Sequence, residues 1–116
     1  AIQSLVHYAA NADAFVVVAP SVVHSDTNLE CNSETYQARA WCRAEQFSQW
    51  LVNGLDQMWV ASDEGVTRVA EGWERDFLQV FHGELTCCRL QHSGGRACDR
   101  HGLVLPFLGL YGQLLQ

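Results

Sequence analysis

The feature that most constrains this chain is an unbroken apolar run, Ala14–Ala19, which is rich in β-branched residues and is closed by Pro20. An apolar run without alternation is typical of a strand that is buried on both faces, as in parallel sheets. We therefore expect Phe15–Ala19 to be a central strand with a neighbour on each side. The run indicates a mostly parallel sheet.

Amphipathic helices are predicted on both sides of this run. The first covers Ile2–Ala9, where apolar residues recur at helical spacing. The second begins at Ser33 or Glu34, after a polar loop over residues 22–32, and ends at a C-cap signal, Asn53-Gly54. The apolar stripe of this second helix consists of Tyr36, Ala40, Ala44, Phe47 and Leu51.

The second half of the chain has weaker and mixed patterns. The elements predicted there are strands over Met58–Ala61, Val66–Val69 and Glu84–Leu90, an irregular or helical connection over residues 71–82, and a helix over Leu103–Leu115. Pro106 weakens the last of these. The order of the elements favours a single α/β domain over residues 1–116, with a mostly parallel sheet flanked by helices.

Charge and cysteine usage restrict the partners and the compartment. A net charge of −6 supplies no basic surface for phosphates, so we expect no nucleic-acid partner and no anionic-membrane partner. No apolar run approaches the roughly 20 residues that are needed to span a bilayer. The 5 cysteines are an odd number and include an adjacent pair, which is unlike a disulfide framework. We therefore expect a cytoplasmic protein.

A recognisable motif covers Tyr36 to Glu45, Tyr-Gln-Ala-Arg-Ala-Trp-Cys-Arg-Ala-Glu. Its Tyr-x4-Trp-Cys-x2-Glu pattern, after an amphipathic helix, an apolar strand and a loop, resembles Toll/interleukin receptor (TIR) domains. Arg39, two residues before the tryptophan, is similar to the variant in fungal heterokaryon-incompatibility domains. The closest resemblance is to uncharacterised algal and protist proteins, in which a Thr-Cys-Cys-Arg-Leu-x-His segment like Thr86–His92 follows.

The resemblance is motif-level, is clearest over residues 1–50, and implies a flavodoxin-like TIR fold. This chain would be the C-terminal half of that fold, an incomplete domain. The resemblance also implies a self-associating signalling or defence module whose intact parent hydrolyses NAD at the nicotinamide–ribose bond. In catalytic members the motif glutamate is essential, and that role maps onto Glu45. No cofactor is implied beyond NAD as a substrate, and we expect this chain alone to be inactive.

The residues of the motif suit that chemistry. Trp41 and Glu45 are four positions apart, so they lie on one face of a helix. An aromatic ring can stack on nicotinamide, and a carboxylate can stabilise an oxocarbenium-like cation. His24, in the preceding loop, is a further candidate substrate-binding residue, because open α/β sheets bind ligands at the carboxyl ends of their strands. The alternative is a non-catalytic assembly domain in which Glu45 is structural.

Another candidate site is a cluster of cysteines and histidines, namely Cys87, Cys88, His92, Cys98 and His101. Four such ligands suit a tetrahedral zinc ion. On the predicted strand, however, adjacent side chains point to opposite faces, so we expect only one of Cys87 and Cys88 to be able to reach a metal. The sequence therefore favours free thiols and solvated histidines without a metal site. A small zinc-stabilised binding module is kept as the third class of function.

Overall fold

The structure of the protein is a computed structural model, and it describes residues 2–115. It is a mixed α/β arrangement in which helices flank a small sheet. In chain order the elements are α1 (Ile2–Asn11), β1 (Phe15–Val18), β2 (Val22–Val23), β3 (Glu30–Cys31), α2 (Ser33–Ala38), α3 (Ala40–Asn53), β4 (Met58–Ser62), β5 (Gly65–Arg68), α4 (Glu74–Phe77), a 3-10 turn (Val80–His82), α5 (Thr86–Arg89) and α6 (Asp99–Leu114).

The main sheet has three strands in the order β1–β4–β5. Strands β1 and β4 are parallel, with Phe15 opposite Met58 and Val18 opposite Ala61. Strands β4 and β5 form an antiparallel hairpin, as the returning-strand pattern predicts. The main sheet is therefore mixed, with one parallel and one antiparallel pair, and not mostly parallel as expected. Strand β1 lies at an edge of this sheet, which contradicts its expected central position.

The side chains of β1 explain why its sequence was misleading. Val17 is buried, whereas Val16 is 49% exposed and Val18 is 71% exposed. Because successive side chains alternate across a strand, one face of β1 packs on the core and the other is open within the described residues. An all-apolar strand thus has one buried face here and not two.

Helix α3 is the centre of the core. Its buried apolar residues pack with Met58 of β4 and Phe77 of α4, and the Phe47 ring centroid lies 5.2 Å from that of Phe107 on α6. As predicted, α3 ends before Gly54, which adopts a positive φ of 64°. The buried members of this core are Ala40, Ala44, Phe47, Met58, Val69, Phe77, Val80, Leu85, Leu103, Phe107 and Leu110.

The single helix that was predicted from Ser33 or Glu34 to Asn53 is broken into α2 and α3 at Arg39. The backbone of Arg39 is extended, with φ −85° and ψ 130°, and it forms an isolated parallel bridge with Glu84. The Ala40 N–H donates to the Glu84 carbonyl at 2.9 Å. A Cβ on Gly83 would lie 2.5 Å from the Ala40 Cα, so only glycine fits this close approach.

The strand predicted over Glu84–Leu90 is also wrong, because the only strand pairing there is the isolated bridge at Glu84, and Thr86–Arg89 is one turn of helix. The C-terminal helix is confirmed, although it begins earlier, at Asp99, and contains Pro106. The loop over residues 22–32 contains the short β2–β3 hairpin.

Helix α1 is confirmed, but most side chains of its predicted apolar face lie outside the described residues. Among residues 2–115, no helix has the length and apolar character to cross a membrane.

Candidate functional site

Glu45 lies in the middle of α3 and is half-buried. Trp41, one turn earlier on the same helix, is half-buried as well and packs against the core. The two residues therefore share a helix, as the motif predicts. At least part of the indole ring therefore packs against the core.

The carboxyl group of Glu45 belongs to a small polar cluster that bridges α2 and α3. Burial raises the pKa of Glu45, whereas the Arg39 guanidinium and the Tyr36 hydroxyl, which is in hydrogen-bonding range of the carboxyl, act in the opposite direction. Burial also raises the pKa of Tyr36 and, on the buried side of α3, that of Cys42. A carboxyl group with a raised pKa beside a phenol is an arrangement found at functional sites and in structural clusters alike.

His24, the other candidate of this site, is exposed and lies just after the short strand β2. The His24 Nδ1 accepts a hydrogen bond from the Asp26 backbone N–H at 3.2 Å, and the His24 backbone N–H donates to the Leu29 carbonyl at 2.9 Å. These contacts are local to the hairpin. They give His24 a role in the turn, and none of them joins it to Glu45 or Trp41.

A shallow depression of about 470 Å³ lies on the side of α3 that faces α4. Arg43 lines it, but its Nε donates to the Gln37 carbonyl at 2.6 Å and its Nη1 to the Gln79 carbonyl at 3.0 Å. The guanidinium therefore joins helices together and is not directed at a ligand. The full lining is Ser33, Glu34, Gln37, Ala38, Arg43, Gly72, Trp73 and Asp76, which includes no residue of the predicted NAD site.

The cysteine and histidine cluster is much more compact. Cys87, Cys88, His92 and Cys98 each offer one metal-ligand atom, and these four atoms all lie within 4.8 Å of one another. The Cys88 Sγ lies 3.6 Å from the His92 Nε2 and 3.6 Å from the Cys98 Sγ. The Cys87 Sγ lies 4.0 Å from the Cys98 Sγ. The sulfurs are too far apart for a disulfide, whose S–S bond is about 2.05 Å long, so all three are free thiols.

Both adjacent cysteines join this cluster because α5 is a helical turn. Successive side chains on a helix are about 100° apart, whereas on a strand they point to opposite faces. This corrects the expectation that only one of Cys87 and Cys88 can reach a metal. The i, i+4 spacing of Cys88 and His92 was the sequence signal for such a turn.

The chain returns to the cluster through a turn with left-handed backbone. Gln91 and His92 both have φ of 53°, a conformation that is uncommon for residues other than glycine. The His92 N–H donates to the Cys87 carbonyl at 2.8 Å, which fixes the turn. Gly94 and Gly95, with φ of 82° and 72°, then lead the chain towards Cys98.

Comparison with protein-family models, with curated proteins and with solved structures finds no match to this chain. The TIR resemblance therefore stays a prediction from the motif. The two sites described above are the observations from which a function can be inferred.

The start of α6 supplies hydrogen-bond donors to two of the sulfurs, a feature that the sequence did not indicate. The Asp99 N–H donates to the Cys87 Sγ at 3.4 Å. A hydrogen bond from the Arg100 backbone N–H, with a further contribution from His92, lowers the pKa of the Cys98 thiol to about 7. The hydrogen bond with Cys98 raises the pKa of Cys88. Such donors favour the thiolate, which is the form that binds metals.

His101, the fifth member of the predicted cluster, is not one of the four residues whose ligand atoms converge. It is exposed in the first turn of α6, and its backbone N–H donates to the Cys98 carbonyl at 3.1 Å. The sequence analysis counts His101 among the candidate ligands, but in the structure Cys98 is grouped with Cys87, Cys88 and His92.

Proposed function

We propose that this protein is a small zinc-stabilised module in which Cys87, Cys88, His92 and Cys98 hold one structural Zn²⁺ ion. The observation that carries the proposal is the convergence of three sulfurs and one ring nitrogen within 4.8 Å of one another. The proposal reverses the expectation from sequence, which rested on a strand that is a helical turn.

The distances support a tetrahedral ion. With Zn–S bonds of about 2.3 Å and a Zn–N bond of about 2.0 Å, the edges of a tetrahedron are about 3.8 Å between sulfurs and about 3.5 Å between sulfur and nitrogen. The separations of 3.6, 3.6 and 4.0 Å are close to these edges. The pairs that are farther apart need only small side-chain rotations to close the shell.

The donor set selects the metal and its role. Three thiolates and one imidazole are soft ligands that suit zinc and exclude the oxygen-seeking Mg²⁺ and Ca²⁺. Four protein ligands fill a tetrahedral shell and leave no position for water or substrate, which is the arrangement of a structural site. Asp99 and Arg100 add N–H···S hydrogen bonds that orient the sulfurs, as outer-shell groups do in metal sites.

The ion would connect helix α5 to the start of helix α6. Cys87 and Cys88 lie on α5, and Cys98 precedes α6, whose Leu103 and Phe107 are core residues. A metal at this junction would fix the N-terminal end of α6 and hold the left-handed turn at His92 in place. Because metal binding is coupled to folding, we expect zinc to stabilise the whole chain.

A titration of the metal-free protein with Co²⁺ tests the ligand set. Tetrahedral cobalt bound by thiolates gives intense charge-transfer and d–d absorption, so we expect both at one equivalent of metal. The variant His92→Ala should weaken binding by at least about tenfold, whereas His101→Ala, an exposed histidine outside the cluster, should bind like the wild type. The corresponding cysteine pair is Cys98→Ser and its control Cys31→Ser.

Weak cobalt binding without thiolate charge transfer would contradict the proposal. So would equal losses in His92→Ala and His101→Ala, because they would show that binding depends on surface histidines in general.

A second candidate function is the NAD cleavage implied by the TIR resemblance. The observation that favours it is the half-buried Glu45 carboxyl, with its raised pKa and the Tyr36 hydroxyl beside it. Under this proposal the intact parent releases nicotinamide from NAD, and Glu45→Gln abolishes release because a neutral amide does not stabilise an oxocarbenium-like cation. Equal release by the two proteins, or none by the wild-type parent at high concentration, would exclude it.

A further inference from the structure

We propose that the zinc centre is redox-sensitive, such that a hydroperoxide joins Cys88 and Cys98 in a disulfide and thereby releases the metal. This inference rests on the proposed zinc function and names its regulation. Structural zinc sites are often enclosed by the fold. This one lies at the surface, and its geometry favours one particular pair of sulfurs.

Access for an oxidant is unobstructed on one side of the cluster. Cys88 is exposed, and every residue from Cys88 to Ala97 is exposed as well, so the turn that carries His92 does not cover the sulfur. Cys87 is half-buried, packs against the core, and its Sγ accepts the Asp99 N–H at 3.4 Å. Cys88 is therefore the sulfur that a small peroxide reaches first.

The pairing partner follows from distance and from disulfide geometry. Adjacent Cα atoms are about 3.8 Å apart, which is shorter than the roughly 4.4–6.8 Å that disulfides span, so Cys87 and Cys88 are unsuited to each other. The Cys98 Sγ lies 3.6 Å from the Cys88 Sγ and 4.0 Å from the Cys87 Sγ. Cys98 is thus the natural partner of the exposed Cys88.

The oxidation is balanced with hydrogen peroxide, or another hydroperoxide, as the oxidant. The Cys88 thiolate attacks one peroxide oxygen, the O–O bond breaks, and Cys88 becomes a sulfenic acid while hydroxide leaves. The Cys98 thiolate then attacks the Cys88 sulfur, forms the S–S bond and expels a second hydroxide. The two sulfurs supply two electrons, two protons from solvent convert the hydroxides to water, and Zn²⁺ leaves because two of its four ligands are gone. A dithiol reductant reverses the reaction.

Release of zinc also removes a constraint on the backbone. The left-handed conformations of Gln91 and His92 persist only when surrounding contacts hold them. Without the metal, the His92 ring loses the attachment that we propose for it. Oxidation is therefore expected to loosen the turn between α5 and α6 and to lower the melting temperature.

The test uses the zinc-loaded full chain, with its zinc content measured before oxidation. One equivalent of hydrogen peroxide is added, released zinc is followed with a chromogenic chelator, and disulfides are located by peptide mass mapping. We expect one zinc ion released per Cys88–Cys98 disulfide, and rebinding after reduction. The variant Cys88→His keeps four nitrogen and sulfur ligands, so we expect it to hold zinc and to lose peroxide-driven release, whereas Cys31→Ser should behave like the wild type.

The outcomes separate the two proposals. Absence of zinc before oxidation would overturn the zinc function and, with it, this inference. Zinc that is present but retained after peroxide treatment would overturn only the redox inference, as would release accompanied by a disulfide between other cysteines. The wild-type peptide map decides the pairing even if Cys88→His fails to fold.

Discussion

Gln46 and Gln49 lie one turn apart on α3, and both are fully buried, yet their surroundings differ. The amide of Gln46 donates to the Gln37 side chain at 2.7 Å and accepts from the Trp73 indole N–H at 2.7 Å. Within the described structure, neither polar atom of the Gln49 amide has a hydrogen-bond partner. A buried polar group without a partner costs stability, so the two residues should respond to substitution in opposite directions.

The first prediction compares Gln49→Met with Gln46→Met. Gln49→Met removes two unsatisfied groups at similar length, so we expect the free energy of unfolding to rise by about 1–2 kcal/mol. Gln46→Met leaves the Trp73 N–H without its acceptor, so we expect the free energy of unfolding to fall by about 1–3 kcal/mol. Urea denaturation of both variants measures the difference. A loss of stability in Gln49→Met would mean that this amide is hydrogen-bonded, for example to a buried water.

The second prediction concerns the charge of Glu45. Its pKa in the folded protein is raised above the ordinary value of 4.5, so the folded state binds the proton more tightly than the unfolded chain. Stability should therefore rise as the pH falls through the folded-state pKa, level off below about 4.5, and be lost again as the pH rises. Once the pH is above the folded-state pKa, the carboxylate is charged in both states, and its partial burial then disfavours folding.

Glu45→Gln removes that charge and still accepts a hydrogen bond from Tyr36. Thermal unfolding at pH 7 should show an increase in stability of at most about 1 kcal/mol, since solvent screens a half-exposed group. The rise in stability towards acidic pH should be smaller than in the wild type. A clear fall in melting temperature at pH 7 would show that the Glu45 carboxylate stabilises the fold. In that case Tyr36→Phe should cause a similar fall.

At the scale of elements, local signals were sufficient for some predictions and not for others. Helix α1, the β4–β5 hairpin and the end of α3 at Gly54 were predicted because spacing, a turn and a glycine cap are local properties. The break at Arg39 depends on a bridge to Glu84, which is 45 positions away in sequence, so no local sequence pattern predicts the break. The strand that was predicted over Glu84–Leu90 is reduced to this one bridge, because the helical turn α5 follows it.

The candidate metal site was likewise predictable from the sequence only in part. The sequence contained all four ligands at suitable spacings, including Cys88 and His92 at i, i+4. It could not select among five candidates, because the choice depends on whether α5 is a turn of helix or a strand. It also gave no indication of the Asp99 N–H donor, since backbone donors at a helix start carry no side-chain signature.

The third prediction tests the contact between Gly83 and α3. Gly83→Ala would place a methyl group against the Ala40 backbone, so we expect the free energy of unfolding to fall by about 1–3 kcal/mol. Gly102→Ala is the control, because a Cβ there meets nothing within 4 Å in helix α6, and it should raise stability by about 0.5–1 kcal/mol. Equal effects of the two substitutions would contradict the close approach.

At the scale of the whole molecule, the main sheet is covered on one face. The other face presents Val16, Val18 and Val66 to solvent, beside a half-buried Trp59 over which the Arg68 guanidinium lies 5.0 Å from the ring centroid. Strand β1 is also an edge strand. Exposed apolar edge strands tend to pair with other strands, which is a physical reason to expect the self-association implied by the TIR resemblance.

The fourth prediction follows from that edge. We expect the protein to self-associate with rising concentration, and Val18→Lys to suppress association because a charge at the edge opposes strand pairing. Val52→Lys is the matched control, since Val52 is 60% exposed but lies on helix α3 and not on a strand of the sheet. Light scattering coupled to size exclusion measures the mass. A monomer at every concentration, or equal suppression by both variants, would count against pairing through β1.

The central claim is that Cys87, Cys88, His92 and Cys98 hold a structural zinc ion, and the zinc content of the purified chain tests it most directly. We predict about one zinc ion per chain by elemental analysis, without added metal, and a lower melting temperature once a strong chelator removes it. Less than about one-tenth of an equivalent of zinc, with a melting temperature that the chelator does not change, would contradict the claim.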